Sequence, residues 1–416
     1  MLSAAGSGEL LFTPRVAALY GYALVWALVA AVALKWCVNR EIGRFTVCTG
    51  ATILDGFSRL PGPRMWALWA ILVPQLVVAV ATVAGMAGAA ATALVLLTGG
   101  PTWPWTAGLI VGGATLLGVG GYRVIEKVAA GLGIALTVAV VVAAITVAPA
   151  AGELARGLVP QIPRDVQIGQ VLPWLGFMLA GAAGLLWFSY WLDARGYGAA
   201  SDRAQPEVER VGRLRGWLSL MTITNTLAVA GALAMAFAFL VLGAELLRPE
   251  GLVPAEDRVA ATLGRLLGDV WGPVGFWFMI AAIFATFTST TLSVQDGFSR
   301  MFADGAALLA RAHGAGGRWV DRRRLQRGFL IVLVAAAPIA LYVKTGGKPV
   351  ALLVVAGAIE AAHIPIVAAL VLYANRRALP PALQPSPASF VATVLAAAFF
   401  AVFAILYGLQ LAGAMP

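Results

Sequence analysis

The polar residues of this 416-residue chain that could bind a cation stand at three places within apolar runs. The first is Gly6, Ser7, Gly8 and Glu9, which run directly into Leu10, Leu11 and Phe12. Glycines on both sides of a carboxylate, at the head of an apolar segment, predict an unwound helix start in which Glu9 supplies charge while Gly6 and Gly8 supply carbonyl oxygens. An ionisable side chain at membrane depth costs about 3 kcal/mol even on insertion scales, so Glu9 needs a partner or a task. The competing expectation is that Glu9 lies in a polar tail outside the bilayer. The second place is Glu360 and His363, three residues apart and therefore on one helical face, just before Pro365. Either could bind a metal or accept a proton, or the two could bond each other as a structural pair. The third is the hydroxyl-rich run Thr286, Ser289, Thr290 and Ser293, followed by Gln295 and Asp296. Ser289 and Thr290 are candidates for an ion pathway, against the common use of membrane hydroxyls to bond their own backbone or a neighbouring helix. Asp296 is expected to pair with Arg300 at a helix end, and Gln75 and Asn225 to make interhelical contacts.

Other chemistries cannot be assembled. The chain has two histidines, His313 and His363, and two cysteines, Cys37 and Cys48. That excludes a His/Cys metal cluster, a disulfide framework and a His-Glu-x-x-His hydrolase centre, so no enzyme and no cofactor are expected. The net charge of +10 does not point to nucleic acid, because the basic residues fall in loops between apolar spans.

The elements that must position these residues are membrane helices. With 61% hydrophobic and 12% charged residues, the chain is too apolar for a water-soluble domain and reads as polytopic. Roughly 20 apolar residues cross a bilayer core. On that measure a short first span, Met1 to about Leu19, is followed by Gly21 to Val38, Trp66 to Leu97, Trp105 to Gly121, Val124 to Val147, Val171 to Leu192, Trp217 to Leu246, Trp271 to Met301, Gly328 to Val343, Pro349 to Tyr373 and Ala388 to Leu411. No basic leader with a cleavage site precedes the first span, so no signal peptide is expected. On one side of these spans fall 21 of the 29 Lys and Arg residues, among them Lys35, Arg40, Arg44, Arg59, Arg64 and the Arg322 to Arg324 run. The positive-inside rule makes that side cytoplasmic. The expectation is a multi-pass inner-membrane protein, N-terminus inside and C-terminus outside, acting as a monomer in contact with lipid. Tryptophans near span ends, such as Trp69, Trp103 and Trp271, are expected as interfacial anchors.

Residues Gly8, Leu10, Phe12, Thr13 and Ala18 recur by type at one offset as Gly184, Leu186, Phe188, Ser189 and Ala194. Spans one and six would then be the broken helices of two inverted halves, residues 1–147 and 171–373, with an extra C-terminal helix at 388–411.

The order of these features resembles the Nramp family of divalent-metal transporters, in particular its divergent bacterial branch. The resemblance runs from Gly6 to about Pro380 and rests on the glycine break followed by Tyr20, Gly21 and Tyr22; on Gly43, Arg44, Thr49, Gly50 and Leu54; on Tyr122, Arg123, Glu126 and Lys127; and on Asn375, Arg376 and Arg377. It implies an all-α LeuT-like fold of five plus five helices with an eleventh, the first helix lacking its N-terminal half. It also implies uptake of a divalent cation, with protons or sodium as coupling ion. Where the family has Asp-Pro-Gly-Asn, this chain has Gly6, Ser7, Gly8 and Glu9. Where the family has Met-Pro-His, it has Leu185, Leu186 and Trp187. His363 falls where the family places a glutamine that reaches the metal. Loss of the thioether and imidazole leaves an oxygen-rich site, which favours hard ions such as magnesium or manganese. The alternatives are a sodium-coupled carrier of a small organic solute, with Trp187 in its pocket, and a transport-inactive sensor or scaffold.

Overall fold

The computed structural model describes residues 6–119, 123–147, 149, 151–163, 166–200 and 207–414. The residues before Gly6, where the first helix is expected to lack its N-terminal half, and Tyr122 of the resemblance lie outside these residues. Every described element is helical. A π-helical turn, Gly8–Phe12, runs into α1, Thr13–Tyr20. There follow α2 (Val25–Thr49), α3 (Ile53–Ser58), α4 (Trp66–Thr98), α5 (Trp103–Val119), α6 (Arg123–Val147), α7 (Ala151–Gly157), α8 (Ile168–Phe177) and α9 (Ala182–Ala194). The second part comprises α10 (Glu207–Leu242), α11 (Val259–Ala312), α12 (Arg322–Ile331), α13 (Ala337–Lys344), α14 (Pro349–Ala378) and α15 (Pro387–Leu411).

Seven helical segments among the described residues are long and apolar enough to cross a membrane, and the shorter apolar helices Trp103–Val119 and Gly131–Val147 add to them. Their outward faces carry Val111, Val138, Leu227, Val274 and Ile405, each exposed as a lipid-facing side chain would be. Trp69, Trp103, Trp271 and Trp277 are likewise exposed.

Three departures from the expected spans matter for function. First, α2 was expected to end at Val38, yet it continues to Thr49 and stops only at Gly50, whose positive φ of 66° closes it. The extension is stabilised by buried polar pairing. Glu41 accepts from Arg44 at 2.8 Å, Asn375 at 3.1 Å and Ser389 at 2.5 Å. Second, the helix expected to begin at Trp271 does begin at that point, after a kink at the non-helical Trp271 and Gly272 before Pro273, but a separate helix starting at Val259 leads into the kink. Third, the span from Val171 to Leu192 is broken as expected, but its two helices, α8 and α9, part at Met178 to Gly181 and not at Leu185 to Trp187.

The core lies around α14, which packs on α2, α4, α8 and α15. Small residues allow this approach: Gly176 of α8 lies against the Gly357 carbonyl of α14, so an added Cβ would meet that backbone.

Candidate functional site

The site is built on the break between α8 and α9. The Met178 N–H still bonds the Trp174 carbonyl at 2.9 Å, but Leu179 takes φ of +65° and the helix cannot continue. A leucine in the left-handed region is strained by roughly 1–3 kcal/mol, and such strain persists only where surrounding contacts impose it. Here a buried acid makes that contact, and a second acid holds the far end of the break. Glu9, at the head of the first helix, accepts the Leu179 N–H at 2.8 Å and the Gly6 N–H at 3.2 Å. Glu360, on α14, accepts the Ala183 N–H at 3.1 Å, in the first turn of α9, where the helix dipole favours an anion. Glu9 thus holds the middle of the break and Glu360 its far end.

The break turns three carbonyls to one point, and a cation is already there. Lys35 of α2 donates to the carbonyls of Gly176, Met178 and Ala180, each at 2.7 Å. All three ammonium donors are therefore used. Glu360 and Glu9 are the acids facing its charge, and the Phe400 ring of α15 lies 5.3 Å from the nitrogen. Lys35 is wholly buried. This corrects its assignment to the cytoplasmic basic loops. Because α2 extends eleven residues past its expected end at Val38, Lys35 is an interior residue of the helix and not a terminal one.

Glu9 and Glu360 open onto one cavity of about 160 Å³, also bordered by Gly6, Leu185, Trp187 and Thr290. Five polar atoms on its wall have no hydrogen-bond partner: Ser7 Oγ, Asn39 Oδ1, Thr82 Oγ1, Trp187 Nε1 and Asn225 Nδ2. Buried polar groups are normally satisfied, so a wall with this many open ones is built to meet a polar occupant.

The other expected residues are placed as follows. Gly8 does not offer a free carbonyl: its oxygen accepts the Thr13 N–H and, at 2.8 Å, the Thr13 hydroxyl. Its role is close approach, since a Cβ at Gly8 would lie 2.6 Å from the Phe177 carbonyl oxygen. The Gly6 carbonyl accepts the Leu10 N–H at 3.1 Å. His363 is buried away from the cavity wall, with Nδ1 2.9 Å from Gln75 Nε2 and Nε2 3.1 Å from the Ala70 carbonyl. Neither ring nitrogen is left over, and Glu360 and His363 bond Gln75 instead of each other, Glu360 at 3.1 Å. Ser289 is buried but does not border the cavity, and Thr290 bonds back to the Thr286 carbonyl at 2.8 Å. Leu185 and Trp187 lie within α9, beyond the break. Asp296 pairs with Arg300 at 2.8 Å, and Asn225 with Asn39 at 2.7 Å. Among the described residues no group of three or more His, Cys, Asp or Glu side chains is placed to hold a metal by itself.

Lys35 is the site residue that sequence reasoning missed. The signal was there: a lysine inside the apolar run from Gly21 to Val38, where an intramembrane charge is a functional candidate by default.

A multi-helix membrane bundle with one helix broken over an acid-flanked cavity is the architecture on which many secondary transporters are built. The profile of the Nramp family, described as natural resistance-associated macrophage protein-like, matches residues 8–410, and the chain belongs to that family. Its fold is shared with a mutant of the Eremococcus coleocola manganese transporter, at 14% identity over 97% of this chain and 83% of that one, with a TM-score of 0.67. The same transporter in complex with an aromatic bis-isothiourea substituted compound aligns at 13% identity, over the same shares of the two chains, with a TM-score of 0.63. Mhp1, a nucleobase-cation-symport-1 family transporter with bromovinylhydantoin bound, aligns at 14% identity over 100% of this chain and 92% of that one, with a TM-score of 0.53. No curated protein matches the sequence. The fold is thus the LeuT-like one expected from the sequence.

Proposed function

We propose that this chain is a secondary transporter that carries a divalent metal cation into the cytoplasm by alternating access, favouring hard ions such as magnesium or manganese and coupled to protons. The observation that carries this is the cation seat itself: three carbonyls around one positive charge at the α8–α9 break, with Glu9 and Glu360 beside it. Every donor there is an oxygen, which suits hard ions. Family membership and the manganese transporter among the fold neighbours support the same cargo. The metal is substrate, and no cofactor enters. Glu9 is the principal charged ligand, Glu360 the second, and the cavity's open polar groups take the ion's remaining waters. Basic loops around Arg322 to Arg324 support a cytoplasmic placement of that end.

Specific observations favour a small organic solute as the second reading. Trp187 Nε1, Asn39 Oδ1 and Asn225 Nδ2 are unpartnered on the cavity wall, a mixture of donors and an acceptor such as a polar solute would use. Mhp1, which aligns over the whole chain, was solved with an organic ligand.

Uptake of magnesium and manganese into proteoliposomes, with and without a proton gradient, decides between them. Saturable uptake that the gradient accelerates is expected. Uptake no faster than in empty liposomes for both ions would contradict metal transport and leave the solute reading or an inactive sensor.

A further inference from the structure

Lys35 holds the carbonyl cage so completely that no metal can occupy it at the same time. Its three donors, at 2.7 Å from the three oxygens, use the directions a bound ion would need, and a dication beside an ammonium in a buried site would be repelled. We propose that Lys35 is a tethered occupant of the cation seat, which yields the Gly176, Met178 and Ala180 carbonyls to the transported dication and takes them back when it leaves. This rests on the divalent-cation reading of the cavity.

The reason for such an arrangement lies in the acids. Glu9 and Glu360 are 1% and 3% exposed, and a carrier that released its ion would be left with two buried carboxylates and no nearby cation. Uncompensated buried charge is strongly unfavourable, so an empty carrier would stall before returning to collect another ion. Lys35 supplies the missing positive charge from within the chain. It has somewhere to go when displaced: the four-carbon stem is flexible, and the cavity that Glu9 and Glu360 border holds unpartnered acceptors, Ser7 Oγ, Asn39 Oδ1 and Thr82 Oγ1. The Phe400 ring then remains as an apolar wall behind the seat.

The exchange has a signature that a merely structural lysine lacks. Lys35→Met keeps the stem length and removes the competing charge. Manganese titration of purified protein should therefore show the variant binding at least tenfold more tightly than the parent. In proteoliposomes the variant should keep manganese–manganese exchange while net uptake falls at least tenfold, because only the return of the empty carrier is lost. A parent that binds manganese and a Lys35→Met variant that binds it no more tightly, or that takes it up at the parental net rate, would overturn the tethered occupant and leave metal transport standing. A parent that binds no manganese at all would overturn both. Should the variant fail to fold, the parent alone decides. Reductive methylation followed by mass spectrometry should leave Lys35 unmodified in metal-free protein and modify it when manganese saturates the site. Equal modification in the two states would overturn the proposal.

Discussion

Replacing Glu9 by Gln removes one charge while keeping the side chain's shape. In the folded protein the Gln carbonyl can still accept the Leu179 N–H, now at 2.8 Å, but its amide would face the Gly6 N–H, now at 3.2 Å, donor against donor. Loss of that bond to a charged group weakens the break by about 1.5–3 kcal/mol. The effect on ion binding is larger. Even at about 5 Å, farther than direct ligation would place the dication, and with an effective dielectric of about 20, the carboxylate contributes about 6–7 kcal/mol of gross attraction. Desolvation of the carboxylate and the cavity's waters offset about half. A net loss of about 3 kcal/mol remains, or about two orders of magnitude in Kd. Titration of purified parent and Glu9→Gln protein with manganese, alongside a melting curve to confirm folding, measures this directly. Glu9→Asp, which keeps the charge and withdraws it by one carbon, should fall between the two. A Glu9→Gln protein that folds and binds manganese within threefold of the parent would refute Glu9 as the principal charged ligand.

Gly8→Ala should abolish transport and lower the melting temperature, since its Cβ would lie 2.6 Å from the Phe177 carbonyl oxygen and force the first helix off the α8–α9 break. A variant with parental Tm and uptake would show that this approach is not needed. Gln75→Leu leaves Glu360 with one bond fewer and His363 Nδ1 without its partner, so thermal unfolding should show a loss of about 1–3 kcal/mol; an unchanged Tm would contradict the bridging role assigned to Gln75. Leu185→Met places a thioether on the cavity wall and should raise cadmium affinity relative to magnesium in a competition titration; an unchanged ratio would mean that residue 185 does not reach the bound ion.

The helical, membrane-spanning character of the chain was legible because apolar runs of span length are hard to mistake. The family likeness was legible because scattered polar residues kept their order. The position of the break was not. Sequence reasoning looked for it near Leu185 to Trp187, by likeness to a motif this chain has lost. The helix opens instead at Met178 to Gly181, where Leu179 adopts a conformation that leucine does not prefer in isolation and that the Glu9 carboxylate imposes from another helix. No local propensity announces such a residue. Lys35 was misplaced for a related reason. Its helix continues past Val38 because Glu41, Arg44, Asn375 and Ser389 satisfy one another between three helices, and charge that is paired only in the tertiary structure reads as loop in the sequence. Glu9 stood out at once, as an acid between glycines at the head of an apolar run. The neighbouring Gly8 drew attention for a carbonyl that Thr13 turns out to occupy.

The most direct test of the cation seat is anomalous scattering at the manganese edge from crystals of the parent grown with manganese. The account predicts one strong peak among Glu9, Glu360 and the carbonyls of Gly176, Met178 and Ala180, with the Lys35 amine moved out of the cage. A manganese peak elsewhere in the bundle, or a cavity without one while Lys35 keeps its three bonds at saturating metal, would contradict it.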